Sequence, residues 1–467
     1  MGTDPAFESR YGTRVHWLET APYVPRPDLR EDLDVDVAVM GGGFTGLWTA
    51  CHLLESDPGL RVAVIEAEEI GFGASGRNGG FAMTLLDMSL AHLRRNHGDD
   101  AARAAHEAVA TSVEEIGKTV AAESIDCDWR HGGLMDVATS PGQMARVRAD
   151  LDAADALGLT DVSELTAADA RARLDSPTYV GGLYEEHCAV VHPAKLVRGI
   201  ADLAERRGAS VFERTHVDDV REAGGRLHLS TARGTVRADQ VVLATNAWAV
   251  GTPWHAHHVV PLYTYIVLTE PLGDAQWDRV GWDGFEGVED KRNYVHYYRR
   301  TVDGRILWGG SDGIIYYGGR IGPGLDTNAD VLGRLKSTFR RTFPQLDDVG
   351  FTHHWGGPVG ITPTFLPICG TLLDGRLHYG IGYNGHGVAP SHTVAKVLHD
   401  KVLGRDGPLG DLCFVDTDEA SFPPEPLRWI GAELTRRALL RQDAQLDAGK
   451  ATGDMDPPFL RLLNALS

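Results

Sequence analysis

Lysine is scarce in this chain of 467 residues: only seven of its 45 basic side chains are lysines. Acids outnumber bases, and the net charge of −20 argues against a nucleic-acid surface or an anionic membrane as partner. Cysteine is also sparse. Cys51, Cys127, Cys188, Cys369 and Cys413 are scattered without a C-x-x-C pair, which excludes a disulfide framework and reads as reduced thiols in a cytoplasmic protein. No metal is expected, because the His255, His257, His258 cluster and the His353–His354 pair lack an acid or Cys in ligand spacing. No basic n-region precedes an apolar stretch, and no apolar run reaches the length of a membrane span. Repeats, low-complexity tracts and a Ser/His/Asp or Cys/His constellation are all missing. So is a second G-x-G-x-x-G after a strand, which leaves no separate nicotinamide site.

What is present is concentrated between Asp34 and Gly80. Val35 to Met40 is a run of small and β-branched residues that suits a buried parallel strand. It leads into Gly41, Gly43 and Gly46 in G-x-G-x-x-G spacing, then an expected helix from about Thr45 to Glu55. A second short strand, Arg61 to Ile65, ends on Glu66. Strand, glycines, helix, strand and acid in one βαβ unit form a dinucleotide site. The glycines give a tight turn, backbone approach to a pyrophosphate and close helix–strand contact, while Glu66 is placed for a ribose 2′-OH. This unit alone leaves FAD and NAD both open. Gly71 to Gly80, GFGASGRNGG, follows at once and is too glycine-rich for a helix or strand interior.

The remaining chain alternates between two patterns. Residues 1–30 read as an extended arm. A helical pattern from Leu85 to Ile125 precedes a strand within Cys127–Ala138, a helix Pro141–Leu157, and a helix start with Thr166 as N-cap and Asp169 three residues on. Leu196–Arg207 is helical, and Gln240–Ala249, QVVLATNAWA, is a buried strand and its exit turn. Val259–Thr269 is a strand, and Tyr294–Tyr298 with Arg305–Gly309 form a hairpin turning at Asp303–Gly304. A helix over 330–343 stops at Pro344, and Leu377–Ile381 enters GYNGHG before a helix to Leu403. Leu427–Leu446 and Phe459–Leu466 read as amphipathic helices that lie on the body.

ASGRNGG, LATNAWA, GYNGHG and the βαβ unit together resemble the D-amino acid oxidase superfamily of FAD-dependent oxidoreductases. The γ-glutamylputrescine oxidase and glycine oxidase-like branch is the most similar, over roughly residues 15–405. The resemblance implies an α/β, overall α+β, architecture of the glutathione-reductase-2 type. A Rossmann-like FAD-binding domain (31–100, 176–250 and 351–405) is interleaved with an antiparallel-sheet substrate domain (101–175 and 251–350), followed by a helical extension (406–467). It implies FAD contacts from Gly41, Gly43, Phe44, Thr45, Gly46 and Glu66, and from Ala74, Ser75, Arg77, Asn78, Gly79 and Gly80. Val217, Ala244, Thr245 and Trp248 would contribute on the return, as would Gly382, Tyr383, Asn384, Gly385, His386 and Gly387 beside the flavin.

The implied reaction is hydride loss from the carbon beside an amine, giving an imine that water hydrolyses. His386, Tyr265, His296 and Trp355 are the expected catalytic side chains, with Tyr263, Tyr298 and Arg299 on the substrate. For each of these the competing role is core packing. Arg305–Gly309 lacks the lysine that sarcosine oxidases place beside the flavin, so either oxygen or an electron carrier is the acceptor. Pro358–Ile361 has no cysteine and Ser75–Gly80 no histidine, so FAD is expected to be non-covalent. The arginine that grips the carboxylate in D-amino acid oxidases has no match in Thr352–Ile368. Alternatives are a dehydrogenase passing electrons to a quinone and an NAD(P)H-dependent flavin hydroxylase.

Overall fold

The computed structural model describes residues 13–418 and 420–448; the expected helix Phe459–Leu466 lies outside them. Two eight-stranded sheets carry the chain. In the first, the order is Ile368–Leu372, Leu377–Ile381, Thr235–Leu243, Leu33–Met40, Val62–Ile65, Ser210–Phe212, with the ribbon Val217–Ala223 and Arg226–Thr231 added along Thr235–Leu243. The four central strands are parallel, and their apolar runs are buried on both faces. Register does the rest. Met40 pairs with both Ile65 and Leu243, so the next residues, Gly41, Glu66 and Ala244, emerge side by side at one carboxyl edge.

The helix Phe44–Ser56 leaves that edge almost wholly buried, between the helices Pro193–Arg206 and Pro390–Val402. The second sheet runs Phe351–Ile361, Val260–Thr269, Ile306–Gly310, His296–Arg300, Gly287–Asp290, Leu134–Ala138, Gly181–Glu185, Val162–Thr166. All its pairings are antiparallel except that of Gly287–Asp290 with Leu134–Ala138. The helix Ala329–Thr342 covers it with Leu335 and Phe339, and Pro344 stops that helix.

Several boundaries differ from expectation. Gly181–Glu185 and Phe351–Ile361 pair in the second sheet, not the first. The helix Asp99–Ala122 buries Ala105, Val109 and Ile116 in the first sheet's core, so 101–122 belongs with the cofactor half. Gly98, at φ +85°, breaks the single expected helix into Leu90–His97 and Asp99–Ala122. The N-terminal arm contains a helical turn, His16–Thr20, that buries Trp17. Ala74–Arg77 is also helical despite its glycines, because Asn78 Nδ2 donates to the carbonyls of Ala74 and Ser75 and closes the turn. The Thr166–Asp169 capping box and the Gly304 turn at φ +76° are as expected. Among the described residues, no helix is long and apolar enough to cross a membrane.

Candidate active site

At the carboxyl edge of the first sheet, backbone passes backbone too closely for any side chain. A Cβ on Gly46 would lie 2.2 Å from the Gly41 carbonyl oxygen, and one on Gly41, at φ +110°, 2.6 Å from that of Ala244. A Cβ on Gly43 would stand 2.9 Å from Ser75 Oγ, which accepts from the Phe44 N–H at 3.0 Å. Glu66 Oε2 accepts from Gly42 N–H at 2.7 Å and Oε1 from Glu68 N–H at 2.9 Å. Burial nevertheless pushes its carboxyl up to about 7, against those two donors. Thr215 N–H donates to the Glu66 carbonyl, so the passage leading to Val217 crosses beside the acid. Asn246, at φ +43°, accepts from the Gly382 N–H at 3.0 Å and ties LATNAWA to GYNGHG.

A cavity of about 320 Å³ lies between the segments 74–79 and 384–388 and the second sheet. Ala74, Arg77, Asn78 and Gly79 form one side, and Asn384, Gly385 and His386 another. Gly382, Asn384 and Gly385 all have positive φ, which folds this segment into a tight turn on the cavity wall. Asn384 can hold that strained conformation because its Oδ1 accepts from Thr362 N–H and its Nδ2 donates to the Gly382 carbonyl. The helix expected directly after GYNGHG begins only at Pro390. Trp355 and Tyr297 supply aromatic wall. Trp355 is fixed by donating to the Arg77 carbonyl at 2.9 Å, and Trp17 by donating to that of Asn78 at 2.9 Å.

His386 is the charged centre of the cavity. Its Nδ1 lies 2.9 Å from Asp87 and its Nε2 3.7 Å from Glu289. Burial opposes the imidazolium, but the two carboxylates outweigh it and hold the group up to about 10. Nothing in the sequence brings Asp87 and Glu289 to His386, because the three lie on segments that only the tertiary fold joins.

Residues 36–401 match the family of FAD dependent oxidoreductases. This chain is a member of that family. It is 32% identical to the gamma-glutamylputrescine oxidoreductase of Escherichia coli over 384 residues, 82% of this chain and 87% of that protein. Its fold is that of glycine oxidase from Geobacillus kaustophilus (TM-score 0.67, 22% identity, 83% of this chain and 100% of that one). L-proline dehydrogenase from P. horikoshii is equally similar (TM-score 0.68, 19% identity, 83% and 97%).

The edge fits the FAD of this oxidoreductase family. Thr245 Oγ1, beside Gly41, is buried with no hydrogen-bond partner, an orphan that a cofactor hydroxyl or phosphate could satisfy. Gly41, Gly43 and Glu66 could hold its ribose and phosphates, and Ala74, Asn78, Gly79 and the turn at Gly385 its ring. Side-chain groups of other expected contacts are bonded to or packed on the protein itself. The Thr45 hydroxyl donates to Tyr383 Oη at 2.7 Å, so these two side chains tie helix to turn. Arg77 Nη1 pairs with buried Asp326 at 2.9 Å and its Nε donates to the Phe72 carbonyl. Trp248 lies over Gly73, Gly80 accommodates the Val191 carbonyl, and Gly387 packs on Tyr383.

Of the expected catalytic and substrate residues, only His386 and Trp355 line the cavity. The other five are corrected to structural roles in the second sheet. Tyr263 Oη accepts from Gly322 N–H, Tyr265 bonds Tyr316 and the Leu325 carbonyl, and Tyr298 bonds Tyr179 at 2.6 Å. His296 pairs with Asp290 at 3.1 Å beside Trp308. Arg299 donates to the carbonyls of Gly80 and Val191 and stacks over Trp17. Strand alternation explains the misplacement: on His296–Arg300 it is Tyr297, not its neighbours, that faces the cavity.

None of the five cysteines lines this cavity. Acid precipitation of the protein is therefore expected to release all its yellow colour to the supernatant. Colour retained in the pellet would contradict non-covalent FAD.

Proposed function

We propose that this enzyme dehydrogenates the C–N bond of an amine or amino acid, leaving an imine that water converts to a carbonyl compound and a free amine or ammonia. FAD, when bound, supplies the two-electron acceptor for the hydride. The observation that carries the reading is the His386 cluster on the cavity wall, one cation between the two carboxylates Asp87 and Glu289. Its net negative charge draws a cationic amine into the cavity. The held imidazolium offsets negative charge that gathers beside it as the substrate is oxidised. Trp355 and Tyr297 exclude water from the reacting carbon.

The relative in Escherichia coli, a gamma-glutamylputrescine oxidoreductase, supports an amine as substrate. Anaerobic mixing with γ-glutamylputrescine, polyamines, glycine, sarcosine, D-amino acids and aminophosphonates tests it. Bleaching of the flavin band near about 450 nm by one of them is the expected result. Bleaching by NAD(P)H alone would replace this reading with a hydroxylase. A second reading concerns the acceptor. No lysine is among the described residues lining the cavity, which favours an electron carrier over oxygen. Reoxidation by a quinone or dye much faster than by air is the matching outcome.

A further inference from the structure

Away from the cavity, three side chains that can ligate a metal meet where the two halves of the molecule join. Glu114 lies on the helix Asp99–Ala122, whose Val113 and Ile116 are buried in the core of the first sheet. His131 lies in the loop entering the strand Leu134–Ala138, and His187 in the turn leaving Gly181–Glu185, both strands of the second sheet. The two imidazoles converge on one oxygen. His131 Nε2 stands 3.5 Å and His187 Nδ1 3.3 Å from Glu114 Oε1. One ligand atom from each of the three residues lies within 4.8 Å of the other two.

These separations are long for N–H···O hydrogen bonds, which favour about 2.7–3.2 Å. They match the edge of a coordination tetrahedron, because two ligand atoms each about 2.0–2.1 Å from zinc stand roughly 3.3–3.4 Å apart. Among the described residues no arginine or lysine pairs with Glu114. The side chains of Glu114, His131 and His187 are 39%, 47% and 40% exposed, which leaves water free to take the remaining coordination position.

The backbone that carries the two histidines is fixed. Arg130 and Val190 exchange hydrogen bonds of 2.9 and 2.8 Å, and Gly133 N–H donates to the Cys188 carbonyl at 2.9 Å. Tyr184 Oη donates to the Gly132 carbonyl at 3.0 Å, and a Cβ on Gly133, at φ +74°, would meet that hydroxyl at 2.3 Å. Ligands on a braced backbone bind a metal without first paying to be ordered. The nearby set His106, Asp161 and Glu185 is different, because it is already closed on itself. His106 Nε2 lies 3.3 Å from Asp161 and 4.0 Å from Glu185, and the Thr84 hydroxyl donates to Glu185. There the histidine itself takes the place of a cation.

We propose that Glu114, His131 and His187 bind a divalent transition metal, zinc by its ligand set, and that the ion braces the helix Asp99–Ala122 against the second sheet. No motif spacing marks this site, because its ligands come from three separate segments. The inference is independent of the substrate.

The test titrates Zn²⁺ by calorimetry into untagged, FAD-loaded enzyme that has been treated with EDTA. One equivalent is expected to bind, and His131→Ala and His187→Ala should each weaken that binding at least about tenfold. Zn²⁺ should also raise the Tm of the wild type and leave that of both variants unchanged. Glu114→Gln keeps the size of its side chain and both histidines, so it reads the site even if a histidine variant loosens its loop. It too should lose the bound ion. Failure of the wild type to bind one equivalent, or binding that survives all three substitutions, would overturn the site. One equivalent bound without a rise in Tm would overturn the brace.

Discussion

Replacing Gly46 with alanine is expected to yield protein with at least tenfold less bound FAD than the wild type. The new methyl would stand 2.2 Å from the Gly41 carbonyl oxygen and 2.9 Å from Val39 Cγ1. Neither can yield cheaply. The first is backbone in the tight turn, and the second belongs to a strand paired on both sides. The helix Phe44–Ser56 must move outward by roughly 1 Å, at a cost of order 1–3 kcal/mol. Its first turn then no longer meets the phosphates. The ratio of flavin to protein absorbance measures the loss directly. Gly333→Ala is the control, because its Cβ meets nothing within 4 Å and it lies inside the helix Ala329–Thr342. That variant should keep its FAD and gain up to about 1 kcal/mol of stability. Full FAD occupancy in Gly46→Ala would show that close packing of this turn is not what forms the cofactor site.

The second large effect is expected at His386. Changing it to glutamine removes the cation and leaves Asp87 and Glu289 facing the cavity without their shared partner. Anaerobic flavin reduction by the substrate should slow by roughly 10²–10³, the usual loss for removing one preorganised electrostatic group, while FAD remains bound. The pH dependence has a fixed sign. The group is held up to about 10, so the imidazolium persists through neutral pH and the rate it supports declines as pH rises through about 10. Because that value lies above the ordinary histidine value of 6.5, the same pair also stabilises the fold. That contribution is complete below about 6.5 and is lost as pH rises through about 10. An unaltered rate in His386→Gln would remove this residue from the reaction.

The cofactor half of the molecule was legible in the sequence for a simple reason. Its close approaches of backbone to backbone leave a local trace in glycines at fixed spacing, Gly41 and Gly46 above all. The substrate half leaves no such trace. Tyr263, Tyr265, Tyr298 and Arg299 have the right chemistry for an amine pocket, but which face of a strand they occupy is decided by pairing with distant strands. Asp87, Glu289 and His386 come together only when three separate segments meet. The C-terminal helix was visible as a helix, yet its exposed Leu427 and Leu434 and its buried Arg428 and Asp443 reverse the polarity that amphipathic reading assumes. Asn246 was read as part of a turn, and its bond to Gly382 depends on two excursions of the chain closing on each other.

That threading has an evolutionary corollary. The chain crosses between the two sheets four times, so neither sheet is encoded by one contiguous stretch, and no exchange of a gene segment could replace the substrate sheet while sparing the cofactor sheet. The helix Leu427–Asp447 is different: it follows the last crossing, contributes no strand, and is attached through side-chain charges and the buried Leu446. Among the described residues its cavity-lining positions can therefore vary without disturbing the strand order of either sheet.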